Sequence, residues 1–295
     1  MMQDARRRAP ALLAALALAV GPAGASESCP RHFAGGRLPM LADPKLAADT
    51  APLCFDAFAI LFSGRSRTPL YAAERLTRAS VAAARTVDRA DAFHEEDRLP
   101  ARTRSELGDY LRSGYDRGHM APAADMPTPE AQAQSFSLAN MVPQNRTANR
   151  NVWSGIEERV RRLAIRRGEL FVVTGPIFSG PAAEAINGRV LVPMQIYKAI
   201  YDPARGEAAA YLAGNDATGA WRAVSIATLK ETAGIDVFPA LPDAAKARAM
   251  SLPEPLASSR DGGRSGADES FGSWAKRALH QILRRVWRDL MRSIF

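Results

Sequence analysis

The segment that most constrains the fold is residues 110–167, where a stretch rich in helix breakers precedes a helical pattern. Two glycines and two prolines within residues 110–127 predict a strand end and a structured loop rather than a helix. Residues 149–167, by contrast, are rich in helix formers. Four large apolar residues recur there at helical spacing: Trp153, Ile156, Val160 and Leu163. The spacing makes Trp153 a helix-core residue rather than a surface platform.

Short apolar runs bounded by turn residues predict strands in the rest of the chain. These runs are residues 55–62, 69–76, 170–174, 189–201 and 208–212. The first two flank a turn at 64–66 and predict a hairpin, while Gly175-Pro176 is expected to stop the third. Thr228 and Glu231 have capping-box spacing and predict the start of a short helix. The mixture predicts an α+β protein with an antiparallel or mixed sheet.

The N-terminus has the pattern of a secretory signal peptide over residues 1–25. Three arginines at positions 6–8 precede an apolar run at 10–20, and Ala23-Gly24-Ala25 forms a cleavage site. We expect an exported protein, periplasmic or secreted. The alternative is an anchor that stays attached, although the run is too short to span a bilayer.

The chain has two cysteines, Cys29 and Cys54, and both follow the expected cleavage site. Export places them in an oxidising compartment, so we expect one disulfide between them. The alternative is a pair of free thiols. A zinc site would need two further ligands.

The net charge of +8 is concentrated at the two ends of the chain. Residues 1–25 contribute +2 and residues 271–295 contribute +5, which leaves +1 for residues 26–270. The central part is nearly neutral, so bulk charge there does not indicate a polyanionic partner. Any argument for nucleic acid has to come from a local site.

Composition divides the rest of the chain into three parts. Residues 26–255 are expected to form the main folded domain, and the Gly- and Ser-rich residues 256–270 a flexible linker. Residues 271–295 are expected to form a basic amphipathic helix. This helix is interpreted as docking on its own domain or a second copy, as lying on an anionic membrane, or as tethering nucleic acid. The oligomeric state is left open.

The chemistry is concentrated around Asp116-Arg117-Gly118-His119 and the two blocks that follow it. A histidine in isolation is more often structural than catalytic, and His32, His94 and His280 have no comparable surroundings. The following blocks, FSLANMVPQ at residues 136–144 and NRNVWSGIE at 149–157, combine carboxamides, a carboxylate and a tryptophan at the start of the predicted helix.

These blocks resemble the DNA/RNA non-specific endonucleases, whose pattern is DRGH, then S-N-x-x-P-Q, then L-N-x-x-x-W-x-x-L-E. The chain has YDRGH, LANMVPQ and ANRNVWSGIE, and the resemblance covers roughly residues 54–240. It departs at Ala139, Ala148 and Ile156, none of which removes a reacting group. The resemblance implies a ββα-metal fold with a central, mostly antiparallel sheet flanked by helices. It also implies metal-dependent cleavage of DNA and RNA with little sequence specificity, leaving 5′-phosphate ends.

The resemblance assigns His119 as general base on water, which suits a side chain that titrates near neutrality. Asn149 is then the direct ligand of Mg²⁺, for which Mn²⁺ can substitute. Mg²⁺ keeps most of its waters, so one carboxamide is a sufficient anchor. Glu157 orients the metal's waters, and Arg89 binds phosphate because guanidinium matches phosphate geometry. An eight-residue helical spacing places Glu157 about 80° from Asn149 around the axis.

Four further residues are assigned supporting roles. Asn140 supports the site by hydrogen bonds, and Asp116 and Arg117 shape the loop. Arg161 either binds phosphate or forms an i,i+4 salt bridge with Glu157. Two alternative functions remain open: a non-catalytic nucleic-acid-binding relative, and a phosphodiesterase acting on small nucleotides.

Overall fold

A seven-stranded antiparallel sheet forms the centre of the protein. The computed structural model describes residues 29–178 and 184–255. The strands are β1 (Met40–Leu41), β2 (Thr50–Cys54), β3 (Phe58–Ser63), β4 (Thr68–Thr77), β5 (Asp116–His119), β6 (Met141–Gln144), β7 (Glu169–Ile177), β8 (Ala185–Ile186), β9 (Val190–Leu191), β10 (Gln195–Asp202), β11 (Glu207–Gly214), β12 (Trp221–Val224) and β13 (Ile235–Asp236). The large sheet has the order β12-β11-β10-β7-β4-β3-β2, and all its neighbouring strands are antiparallel.

Helices cover the sheet and separate its strands along the chain. The α-helices are α1 (Arg78–Ala84), α2 (Leu107–Tyr110), α3 (Pro129–Ser135), α4 (Arg146–Ala148), α5 (Ser154–Arg167), α6 (Ile226–Ala233) and α7 (Asp243–Ala247). A π-helical turn, Asn149–Trp153, joins α4 to α5. Short 3-10 helices lie at Pro30–His32, Ala34–Gly36, Pro44–Ala47, Ala123–Asp125 and Leu138–Asn140. The α+β class is confirmed, with strands and helices mixed along the chain. In the described part of the chain, no helix is both long and apolar enough to cross a membrane.

Alternate residues of each strand point to opposite faces of the sheet. Both faces are buried, because other parts of the chain pack against each of them. Phe58 and Ile60 of β3 pack with Trp153 and α5 on one side. Ala59 between them packs on the other side with Phe33 and α6. Trp153 is 1% exposed, so its assignment to the core is confirmed.

The predicted hairpin at residues 55–76 is present as β3 and β4, which are paired from Phe58 to Glu74. The first strand nevertheless begins three residues later than predicted. Phe55 lies in the turn between β2 and β3, where its N–H donates to the carbonyl of Phe58. An apolar run by itself does not mark this turn, which closes through a hydrogen bond between backbone groups.

Three further predictions of element limits are corrected. The strand predicted at 189–201 is broken around Pro193 into β9 and β10. The strand at 170–174 continues as β7 through Gly175, which lies so close to Tyr197 that a Cβ would come within 2.6 Å of its hydroxyl oxygen. The Thr228–Glu231 capping box is wrong. The cap is Ser225, whose Oγ accepts from the Thr228 N–H at 3.1 Å, so α6 begins at Ile226.

Candidate active site

A two-stranded hairpin followed by a helix carries the DRGH motif. β5 pairs with β6 in antiparallel register, with His119 opposite Met141 and Asp116 opposite Gln144. Asn145 follows at once, and its Oδ1 accepts from two N–H groups of the next turn, which starts the helical segment. The segment from β5 to α5 is therefore a ββα unit, packed on the large sheet through Trp153.

Gly118 is required by the close approach of β5 to the Gln144 side chain of β6. A Cβ on Gly118 would lie 2.6 Å from the Cβ of Gln144, which is far inside van der Waals contact. The two strands can approach so closely only because one of them has no side chain here. The glycine thereby fixes the position of its neighbour, His119.

The His119 imidazole lies between two aromatic rings. Phe136 contacts it edge-on, with ring centroids 5.0 Å apart, and the centroid of Phe93 lies at 5.7 Å. The residue is partly exposed, but Nε2 is buried and has no hydrogen-bond partner in the described chain. Burial, followed by the charges of Arg89 and Arg117, lowers the pKa of His119 to about 3. The ring is therefore neutral at physiological pH and can accept a proton.

Asn149 lies at the start of the π-helical turn and is tied to the DRGH motif. Its Nδ2 donates to Oδ2 of Asp116 at 3.1 Å. Among the described residues, none donates to the Oδ1 atom of Asn149. π-Helical turns are rare and are frequent at functional sites. Here the turn, closed by the Ser154 N–H on the Asn149 carbonyl, sets the direction of the amide side chain.

An arginine-rich cleft of about 480 Å³ opens beside the hairpin. Five arginines line it: Arg89, Arg112, Arg117, Arg146 and Arg150. The remaining lining residues are Phe93, Leu107, Tyr110, Leu111, Tyr115, Asp116 and Asn149. The cleft is strongly cationic within a nearly neutral domain, so it is the local polyanion site that bulk charge did not reveal.

Asp116 is the carboxylate that pairs with two of the cleft arginines. Its side chain is 16% exposed and pairs with Arg150 at 3.1 Å and Arg146 at 3.3 Å. It also accepts from Asn149, so one carboxylate orients two arginines and the amide. Arg117 lies on a different neighbour, with its guanidinium carbon 4.0 Å from the ring centroid of Phe93.

Arg89 lies between the cleft and the histidine. Its Nε contacts Oδ1 of Asp91 at 2.6 Å, and its guanidinium carbon is 5.3 Å from the Phe136 ring centroid. Both Arg89 and Asp91 are more than half exposed, so the pair opens readily for a phosphate. Arg89 also acts electrostatically on Glu157. Burial raises the pKa of the Glu157 carboxyl, and the positive charges of Lys198, Arg161 and Arg89 oppose that rise.

Glu157 and His119 are not among the cleft-lining residues, although the His119 ring lies 5.7 Å from that of Phe93, which lines the cleft. The Glu157 carboxylate forms no hydrogen bond or ion pair within the described residues. Thus the structure brings Arg89, Asp116, Arg117 and Asn149 together at the cleft surface.

One of the two predicted roles of Arg161 is wrong. It forms no salt bridge with Glu157; its Nη1 contacts Oδ1 of Asp125 at 2.9 Å and its Nε contacts Oε2 of Glu158 at 3.2 Å. The side chain is 13% exposed and is not among the residues that line the cleft, so its contact with phosphate stays a prediction. The carboxylates of Glu158, three residues earlier in α5, and of Asp125 hold the guanidinium instead.

Asn140 is fully buried beneath the hairpin. Its Oδ1 accepts from the Ala121 N–H at 2.9 Å, and its Nδ2 donates to the carbonyls of Ala121 and Ser135. The Met120 N–H also donates to the Asn140 carbonyl. These bonds fix the backbone directly after His119.

A buried polar cluster that the sequence pattern did not predict lies on the sheet beneath α5. Lys198 is 0% exposed, and its Nζ donates to Thr174 Oγ1 at 2.7 Å and lies 3.6 Å from Glu74 Oε1. Burial raises the pKa of Glu74. Lys198 also lies 5.8 Å from the Trp153 ring centroid, and so supports the turn that carries Asn149. A lysine within a predicted strand was the available signal.

The predicted disulfide is confirmed: Cys29 and Cys54 are joined. Their Cα atoms are 5.8 Å apart. The bridge connects the segment before β1 to the end of β2, at the far side of the sheet order from β12.

Known proteins share this arrangement. The family model for DNA/RNA non-specific endonucleases matches residues 42–244. Nuclease C1 from Cunninghamella echinulata var. echinulata is 36% identical over 173 residues, which are 55% of this chain and 68% of the relative. The mitochondrial Nuclease 1 of Schizosaccharomyces pombe is 40% identical over 120 residues, covering 40% of this chain and 37% of the relative.

A solved structure described as the EndoG/EndoGI complex matches with a TM-score of 0.57 and 25% identity, covering 64% of this chain and 87% of that chain. This match supports the ββα-metal nuclease fold. The chain spans less than two thirds of several curated relatives, including 37% of the Schizosaccharomyces pombe protein and 43% of the mitochondrial nuclease of Saccharomyces cerevisiae. The family match covers well over half of the chain, and the chain belongs to the DNA/RNA non-specific endonuclease family.

Proposed function

We propose that this protein hydrolyses phosphodiester bonds of DNA and RNA with little regard to sequence, leaving 5′-phosphate ends. The observation that carries the proposal is the His119 imidazole, whose Nε2 has no hydrogen-bond partner among the described residues and whose ring lies 5.7 Å from Phe93, a residue of the cleft that five arginines line. Arginines hold the phosphate backbone, which is common to all sequences. A cleft built for backbone rather than for base edges accounts for low sequence specificity.

His119 takes the proton from the attacking water. Its Nε2 has no hydrogen-bond partner among the described residues to compete for that proton, and the ring is unprotonated before reaction. Arg89 binds the phosphate and its developing charge, since its surface ion pair with Asp91 is easily exchanged. Glu157 holds water by its unpaired carboxylate.

The residues present fit a single divalent ion held mainly by water, which we propose is Mg²⁺, with Mn²⁺ as a substitute. No cluster of three or more acidic, histidine or cysteine side chains suited to a metal occurs among the described residues. Asn149 offers a free Oδ1 beside Asp116, and Mg²⁺ needs few protein ligands. When bound, the ion supplies positive charge to the phosphate and the leaving oxygen.

We further propose export to the periplasm or the medium. The disulfide between Cys29 and Cys54 supports this, since such bonds persist in oxidising compartments. The expected signal peptide and cleavage site, the residues 256–270 linker and the basic helix at 271–295 lie outside the described residues. Cell fractionation with N-terminal sequencing of the recovered protein tests the proposal, and a mature N-terminus at Ser26 is expected.

Purified protein should digest both plasmid DNA and RNA, and EDTA should abolish the digestion. His119→Ala should lower kcat at least ~10²-fold while leaving the fold intact, the usual scale for a lost general base. His94→Ala is the matched control, because His94 is exposed and its backbone bonds to Phe136 and Leu138 are kept in the variant. The variant loses the contact of 3.0 Å between the ring Nδ1 and the Ala92 carbonyl.

The outcomes separate this proposal from its alternatives. Binding of nucleic acid without cleavage would indicate a non-catalytic relative. Faster turnover of dinucleotides than of long strands would indicate an enzyme for small phosphodiesters. Labelling of product ends by a 5′-kinase without prior phosphatase treatment would contradict the proposed 5′-phosphate.

A further inference from the structure

The short helix α2 presents two different faces. On the inner face, Asp109 and Tyr110 are 2% and 6% exposed. The outer side carries Leu107, the first residue of α2, and Leu111, which directly follows its last residue; they are 40% and 74% exposed. They are two of only five large, exposed hydrophobic side chains among the described residues.

The inner face is firmly attached, so the position of the outer face is fixed. Asp109 Oδ1 forms an ion pair with Arg189 Nε at 3.2 Å and accepts from Asn187 Nδ2 at 3.3 Å. Its Oδ2 accepts from the Glu106 N–H at 2.8 Å. After the helix, Arg112 has φ of +57°, a left-handed conformation that arginine rarely adopts and that turns the chain sharply beyond Leu111.

Both leucines line the arginine-rich cleft. The lining of the cleft thus combines apolar side chains with guanidinium groups, including those of Arg112 and Arg117. A nucleotide strand has the matching pattern, since its phosphates are anionic while its base faces are apolar. A hydrophobic peptide would bring no anion to the arginines, and a simple anion would leave the leucines exposed to water.

We propose that Leu111, with Leu107 beside it, contacts a nucleobase of the strand whose phosphates lie on the cleft arginines. This inference rests on the proposed nuclease function. Apolar side chains that meet bases work by unstacking them, so the contact favours strands whose bases are already free or easily unstacked. It adds affinity without reading base edges, which leaves sequence specificity low.

A double-mutant cycle between protein and substrate tests the contact. The full chain with Mg²⁺ cleaves a single-stranded oligonucleotide that has either normal bases or one abasic residue scanned along it. Losing a partly buried leucine contact should raise KM about 5-fold for Leu111→Ala on the normal strand. The wild type should show a similar rise at one or two abasic positions.

The combination of Leu111→Ala with the sensitive abasic position should also raise KM about 5-fold, and not about 25-fold, because the same contact is removed twice. Leu111→Met should restore KM to within about twofold, since its volume and polarity are similar. Met40→Ala is the matched control: Met40 is 61% exposed and lies outside the cleft, so KM should not change.

Additive effects, or an unchanged KM in Leu111→Ala, would overturn the contact while leaving the nuclease function in place. If Leu111→Ala is not folded, Leu111→Gln keeps the side-chain size and removes the apolar surface, with the same expected KM. Failure of the wild type to cleave any oligonucleotide would instead overturn the proposed function, and the contact with it.

Discussion

The Nδ2 of Asn149 donates a hydrogen bond of 3.1 Å to Oδ2 of Asp116, joining the helix of the ββα unit to the start of its first strand. The two residues are 33 positions apart in the chain. Because the amide's nitrogen is held by Asp116, its oxygen is directed elsewhere. Asp116 therefore has a part in the site that the sequence analysis described only as shaping the loop.

Asp116→Asn should weaken metal binding more than it weakens the fold. Neighbours that orient a metal ligand typically contribute 10- to 100-fold to affinity, so the Mg²⁺ concentration for half-maximal activity should rise about 10-fold or more. A magnesium titration of activity measures this, and thermal unfolding reports the fold. Asp243→Asn, an exposed carboxylate on α7, is the control. An unchanged titration would remove Asp116 and Asn149 from the metal site.

The activity of the wild type should persist well below pH 6.5. The reacting form of His119 is the neutral ring, and its pKa is lowered to about 3 by burial, Arg89 and Arg117. The acidic limb of kcat/KM reports groups of the free enzyme, so protonation of this ring does not limit activity near neutrality. An NMR titration of the ring in the free enzyme should show no protonation between pH 5 and 8.

Arg89→Ala should raise the pKa of His119, because a positive neighbour disfavours the imidazolium. The variant also loses the phosphate contact, which lowers its maximal kcat/KM. The pH at the midpoint of the acidic limb does not depend on that maximal value. Arg162→Ala, on the exposed face of α5, should leave the limb where it is. A limb that stays fixed in Arg89→Ala would contradict the electrostatic account.

Arg150→Ala should reduce affinity for long DNA evenly across sequences. Removing one phosphate contact should also lower the slope of log affinity against log salt by about 1. Arg150 is exposed and lines the cleft, so its loss creates no cavity. Fluorescence anisotropy at several salt concentrations measures both quantities, with Arg162→Ala as control. An unaltered slope would place the DNA backbone outside this cleft.

Reduction of the disulfide should destabilise the protein by about 3 kcal/mol, the scale for a loop of this length. Cys29 and Cys54 are separated by 25 positions. Thermal unfolding with and without reductant measures the change, and intact mass after alkylation confirms the redox state. Two thiols that alkylate freely before reduction would show that the bridge does not form in the cell.

The sequence by itself determined the ββα unit and the residues of its motif. Glycine and proline content marks the DRGH segment as non-helical, helical spacing places Trp153 in the core, and the resemblance brings His119 and Asn149 together. These features are local, since turn chemistry and periodicity act within a few residues. The sequence also determined the disulfide, because only two cysteines are present.

Only the tertiary structure decided which charges meet. The arginine-rich cleft gathers residues from position 89 to position 150 in a domain whose net charge is near zero, so no summation along the chain reveals it. Arg161 likewise pairs with Asp125 rather than Glu157, because the fold brings this carboxylate, 36 positions away in the chain, to 2.9 Å from the guanidinium. Helical spacing predicts which residues share a face, but ion pairing depends on what the neighbouring segments bring to that face.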